Sequence, residues 1–102
     1  MQEDKTYCEV VNLKHDGFDV YIGRGGYGRK GYFGNPFIVG RDGDREEVLK
    51  KYKMYFYFMV RTDHEFRKRL LKLKGKRLGC FCSPEACHGD IIAKWVNKHA
   101  KE

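Results

Sequence analysis

At 102 residues the chain is the size of one domain, which excludes two folded units with separate cores. Lys and Arg total 21 against 14 Asp and Glu, a net charge of +7, and aromatic residues make up 15%. That aromatic share excludes a disordered basic tail, and the charge points to a folded chain that meets an anion, either nucleic acid or a small phosphorylated ligand. No stretch approaches the roughly 20 apolar residues of a membrane span, so no membrane partner is expected. Met1 to Lys5 lacks the apolar run of a signal peptide, and a cytoplasmic location follows as the expectation.

In chain order, Tyr7 to Leu13 and Phe18 to Gly23 are short, β-branched and aromatic, with turn chemistry from Lys14 to Gly17 between them. They predict two strands joined by a tight connection. From Gly23 to Gly43 the sequence is loop-like and rich in glycine, broken by the apolar patch Phe37-Ile38-Val39 that should dock it. A loop of about 20 residues in so small a domain is rarely idle. Asp44 followed three residues later by Glu47 is a variant capping box, and Val48, Tyr52, Tyr55, Phe56 and Met59 recur at helical spacing to about Val60. Asp63 can cap a second helix carrying Phe66, Leu70 and Leu73, with Gly75 as its C-cap. A strand from Arg77 to Cys82 and a last helix with Ile91, Ile92, Trp95 and Val96 inward complete the order β-β-loop-α-α-β-α. The expected fold is a single compact α/β domain over residues 1–102, with at least three strands flanked by three helices.

The richest chemistry lies where the last strand turns into the last helix. Cys80, Cys82, Cys87 and His88 supply three soft ligands and an imidazole, the right number for tetrahedral zinc. The adjacency of Cys87 and His88 argues against one closed site, and no cofactor is expected, with zinc as the alternative. Cys87 near a helix N-terminus beside His88 is also suited to be a nucleophilic thiolate. In the reading given most weight, His88 and Asp90 are hydrogen-bonding or acid–base groups of a ligand pocket while the cysteines pack. The same residues admit a purely structural role, with Cys80 and Cys82 in the strand core, Gly89 in a tight turn and Asp90 capping the helix. Cys8, alone in an apolar segment, reads as a buried small hydrophobe.

Gly23-Arg24-Gly25-Gly26-Tyr27-Gly28 matches the spacing of a dinucleotide fingerprint after a predicted strand. It runs into Gly31 to Pro36, which cannot open a helix, so a dinucleotide fold is not expected. The glycine backbone with Arg24, Arg29 and Lys30 can still cradle phosphate. In Gly34-Asn35-Pro36-Phe37, Asn35 is held extended before proline, and its amide is suited either to reading a base or sugar or to closing a turn.

With these residues read, the chain resembles a family of small bacterial and phage proteins catalogued as domain of unknown function 4326. The motifs that carry the resemblance are Val11-Asn12-Leu13, Tyr21-Ile22-Gly23-Arg24, Gly34-Asn35-Pro36-Phe37, Gly43-Asp44-Arg45-Glu46 and Leu78-Gly79-Cys80-Phe81-Cys82 through Cys87-His88-Gly89-Asp90. The resemblance implies a shared α/β fold and a shared pocket, and no activity. The last motif also looks like the Cys-His-Arg ending of another family of small α/β proteins, with Gly89 where that family has arginine.

The functional expectation is a pocket formed by the glycine-rich loop, Asn35 and the Cys82 to Asp90 turn that binds a nucleotide or nucleotide-derived anion. Gly23, Arg24, Gly34, Asn35, Cys82 and Gly89 are the candidate ligand-binding residues, and His88, Asp90 and Cys87 the candidate catalytic ones. An enzyme built this way would hydrolyse or transfer at a glycosidic or phosphate bond, with Asp90 or His88 as acid–base group, Arg24 neutralising phosphate and Asn35 orienting the base or sugar. Two alternatives stand beside it. One is a non-catalytic module that sequesters a nucleotide, and the other a nucleic-acid-binding protein stabilised by zinc at Cys80, Cys82, Cys87 and His88.

Overall fold

The computed structural model describes residues 8–14, 17–23, 31–80 and 87–99. Three short strands, β1 (Glu9–Asn12), β2 (Val20–Tyr21) and β3 (Arg77–Cys80), form one sheet in the order β1-β3-β2. Three helices, α1 (Arg45–Thr62), α2 (His64–Leu71) and α3 (His88–His99), pack on it to give the expected α/β domain.

Both outer strands run parallel to β3, with Val10 and Val20 each in register with Leu78. The two N-terminal strands therefore do not pair with each other, despite the short link between them. The chain leaves β1 above Cys80, where the Leu13 N–H donates to the Cys80 carbonyl at 3.0 Å. It re-enters the sheet beside Arg77, whose backbone Asp19 brackets: the Asp19 N–H donates to the Arg77 carbonyl at 2.8 Å, and the Arg77 N–H to Asp19 Oδ2 at 2.8 Å. Between those points Phe18 lies against Gly79, where an added Cβ would come within 2.7 Å of the Phe18 ring. Gly79 is glycine because the link crosses the sheet face there.

Alternation along β3 turns Leu78 and Cys80 to the opposite face, where they join the core. That core gathers Ile22, Tyr52, Phe56, Val60, Phe66, Leu70, Leu73, Ile92, Trp95 and Val96. The helix stripes are close to those expected, with Tyr55, Met59 and Ile91 partly buried at the rim and Val60 and Ala93 inside. Phe37 packs edge-on to Tyr55, but Ile38 and Val39 are exposed, so the apolar patch docks through one ring.

Local capping follows the sequence closely. Asp44 accepts from the Glu47 N–H at 2.9 Å while Glu47 accepts from the Asp44 N–H at 2.9 Å, a complete capping box at the start of α1. Asp63 closes α1 and caps α2, accepting from the N–H groups of Glu65 and Phe66 at 3.1 Å. The α2 cap is Lys72 rather than Gly75; Gly75, at φ +73°, turns the chain toward β3.

Candidate functional site

Because β1 and β2 both run parallel to β3, the carboxyl ends of these three strands lie on one edge, and α3 begins there. In open α/β sheets that edge is where ligands are held. The start of α3 sits directly on the sheet: a Cβ on Gly89 would lie 2.7 Å from Ile22 Cδ1 and 3.2 Å from both Val10 methyls. Gly89 is thus a point of close approach between helix and strands.

Cys87 precedes α3 and behaves as its cap. Its Sγ accepts from the Gly89 N–H at 3.3 Å, and its own N–H donates to Asp90 Oδ2 at 3.1 Å. The two contacts cap the helix start from both sides, with a thiol accepting the second amide of α3 and the third residue's carboxylate reaching back. The Asp90 carboxylate, a candidate acid–base group, is engaged in that cap on an exposed residue. It also brings negative charge to the helix end that favours anions.

His88 is buried, at 8% exposure, and its Nε2 lies 2.6 Å from the Ile22 carbonyl oxygen. The ring of Tyr52 stands edge-on to the imidazole at 5.1 Å between centroids. The Tyr52 hydroxyl in turn donates to the Phe33 carbonyl at 3.1 Å, which ties the loop before α1 to the same corner. Burial pushes the Tyr52 phenol far above its ordinary value, with Tyr55 and Cys87 adding to the shift, so it stays a protonated donor.

Of the loop candidates, Gly34 donates its N–H to the Gly31 carbonyl at 3.0 Å, and buried Asn35 accepts the Phe37 N–H at 2.8 Å in a local turn. They reach the α3 corner through Phe33 and Tyr52. Gly23 is buried two residues after β2, where a Cβ would run into the Tyr21 side chain. Arg24 and Cys82 lie outside the described residues, as do Arg29 and Lys30.

The structure brings Cys80 and Cys87 together, Sγ to Sγ at 3.3 Å, both buried. Of the four candidate zinc ligands those two adjoin, His88 directs Nε2 to a backbone carbonyl, and Cys82 is outside the described residues. Among the described residues no group of three or more His, Cys, Asp and Glu side chains is placed to hold a metal. Among them, too, no helix is long and apolar enough to cross a membrane.

Two residues that hold α3 in place escaped sequence reasoning, Tyr52 at its start and Asn97 near its far end. Tyr52 reads as one member of an apolar stripe, although buried tyrosine hydroxyls as a rule find a hydrogen-bond partner. Asn97, inside α3, clasps the backbone of Cys8: its Oδ1 accepts the Cys8 N–H at 2.7 Å and its Nδ2 donates to the Cys8 carbonyl at 2.8 Å. A polar amide on the buried side of a helix was the available signal.

Comparison with known proteins gives a consistent family. The model described as "Domain of unknown function (DUF4326)" matches residues 10–98. An uncharacterised 12.4 kDa protein from the nrdA-td intergenic region of Enterobacteria phage T4 is 41% identical over 96 residues, covering 93% of this chain and 82% of that protein. No solved structure matches the chain. The chain belongs to the DUF4326 family.

Proposed function

We propose that this member of the DUF4326 family binds a nucleotide or nucleotide-derived anion at the carboxyl edge of its sheet. The observation that carries the reading is the convergence of three parallel strand ends on the start of α3, around the buried imidazole of His88. The glycine-rich segment leaves β2 at that edge and brings Arg24, Arg29 and Lys30 in sequence, cations suited to phosphate oxygens. Because Asp90 is committed to the α3 cap, the phosphate contacts in this reading come from those cations and from glycine N–H groups more than from the helix end. Asn35 and His88 supply the directional groups for base or sugar, and Cys87, His88 and Asp90 are the groups in this reading for any transfer or hydrolysis.

The test is native mass spectrometry of the full chain with a panel of nucleoside mono-, di- and triphosphates and their ribosylated derivatives. A stoichiometric adduct that is lost in Arg24→Ala and His88→Ala supports the reading. No adduct with any of the panel, or an adduct indifferent to both substitutions, rejects it. Persistence of the adduct over time marks a sequestering module, and conversion marks an enzyme.

A second reading rests on the Arg69 guanidinium, 4.4 Å over the ring of Tyr32. Such stacked cation and ring pairs, on a helix that also carries Arg67 and Lys68, are a platform for single-stranded nucleic acid. That reading predicts affinity that falls steeply with salt and with Tyr32→Ala. Binding of a short oligonucleotide that ignores both sets it aside.

A further inference from the structure

We propose that Cys80 and Cys87 are a redox-convertible dithiol, closed by a peroxide into an intramolecular disulfide that fastens the end of β3 to the start of α3. The two sulfurs are 3.3 Å apart, and a covalent bond needs them to approach to about 2.05 Å. They come from two separate elements that meet side by side, so closure joins parts already packed together.

The two thiols are chemically unequal. Cys87 Sγ accepts the Gly89 N–H at the first turn of α3, a donor that a thiolate or a sulfenic acid would keep, so Cys87 is assigned the attack on the oxidant. Cys80 faces it from the strand as the resolving thiol. Both are nearly inaccessible, at 4% and 2% exposure, which selects an oxidant as small as hydrogen peroxide over a bulky disulfide. Cys8 provides an internal contrast: it is buried against Asn97, and burial together with the charge of Glu9 holds its thiol protonated, up to about 11.

In the first step the Cys87 thiolate attacks one peroxide oxygen; the O–O bond breaks, and hydroxide leaves to become water with the proton Cys87 released. Cys87 is now a sulfenic acid. The Cys80 thiolate then attacks the Cys87 sulfur, the S–O bond breaks, and hydroxide leaves to become water with the proton of Cys80. Two thiols lose two electrons and one peroxide gains them, and a small dithiol reverses the change by two exchange steps.

The experiment exposes the full chain to graded hydrogen peroxide, removes the peroxide, unfolds the chain in urea with N-ethylmaleimide to block every remaining thiol, and maps the peptides by mass spectrometry. The expected product is one Cys80–Cys87 linked peptide pair, lighter by about 2 Da for the two hydrogens lost, with Cys82 alkylated and full reversal by dithiothreitol. Cys82→Ser should give the same link. In Cys80→Ser, oxidation should halt at a Cys87 sulfenic acid that dimedone traps. A disulfide that includes Cys82, over-oxidation of Cys87 without a link, or Cys80 and Cys87 both still alkylated would overturn the proposal. If the Cys80 variant does not fold, the wild-type and Cys82→Ser maps decide alone.

Discussion

His88, the first residue of α3, is bonded to the carbonyl of Ile22, which follows directly after β2, with 2.6 Å between Nε2 and oxygen. A carbonyl can only accept, so Nε2 carries the proton. One imidazole therefore joins an outer strand to the helix that covers the sheet, 66 residues apart in sequence.

Replacing that imidazole should cost stability whatever the site binds. His88→Ala leaves the Ile22 carbonyl without this donor and removes the ring packed against Tyr52, a loss of about 2–3 kcal/mol. Urea denaturation measures it, and a midpoint within error of the parent would show that the contact does not anchor α3.

Gly89→Ala runs against helix propensity. Alanine in a helix normally gains up to about 1 kcal/mol over glycine, but here the methyl meets Ile22 Cδ1 at 2.7 Å and Val10 methyls at 3.2 Å inside a packed core. Overpacking at about 1–3 kcal/mol outweighs the gain, so the expected outcome is net destabilisation. A higher thermal midpoint in the variant would mean that α3 can lift off the strands freely.

Phe18 and Gly79 form a pair that a double-mutant cycle can isolate. Gly79→Ala should destabilise by about 1–3 kcal/mol because its methyl occupies the place of the Phe18 ring. With Phe18→Ala already present the same change should cost much less, giving a coupling of about 1 kcal/mol or more. Strict additivity would contradict the crossing of the β1–β2 link over β3.

Tyr52→Phe keeps the ring and deletes the hydroxyl that donates to the Phe33 carbonyl. The cost is about 1 kcal/mol, felt as loosening of the loop before α1. Hydrogen exchange should report faster exchange at the Gly34 and Phe37 amides than at the α3 amides, and uniform exchange across both would count against this local role.

Alkaline pH should weaken the fold through Cys8. Its thiol is raised from 9.0 to about 11 by burial first and the Glu9 charge second, so the unfolded chain releases that proton before the folded chain does. Its contribution is fully present below pH 9.0 and is lost as pH rises toward about 11, with a slope of at most about 1.4 kcal/mol per pH unit. Tyr52, raised by burial from 10.0, adds a second loss above that value. Between pH 9.0 and 10.0, Cys8→Ala should flatten the decline in urea midpoint, and an unchanged slope would assign it elsewhere.

What the sequence determined by itself was local. The Asp44 and Glu47 capping box, the Asp63 cap and the stripes of Val48, Tyr52 and Phe56 or Phe66 and Leu70 depend on residues three or four apart, and helical geometry converts such spacing into contacts without help from the rest of the chain. The cysteine and histidine cluster was also legible as a place, because strand, turn and helix signals meet there. Tertiary structure alone decided what those residues do to one another. Nothing near β1 in sequence says that β3 will separate it from β2, since strand order is a long-range choice set by burying one face of three short strands under the helices. The same packing brought Cys80 to Cys87, His88 to the Ile22 carbonyl and Asn97 to Cys8, whereas the Asp90 cap, three residues from Cys87, was among the roles the sequence offered. Residue type announced which groups could bond, and burial of the sheet against α3 chose the partners.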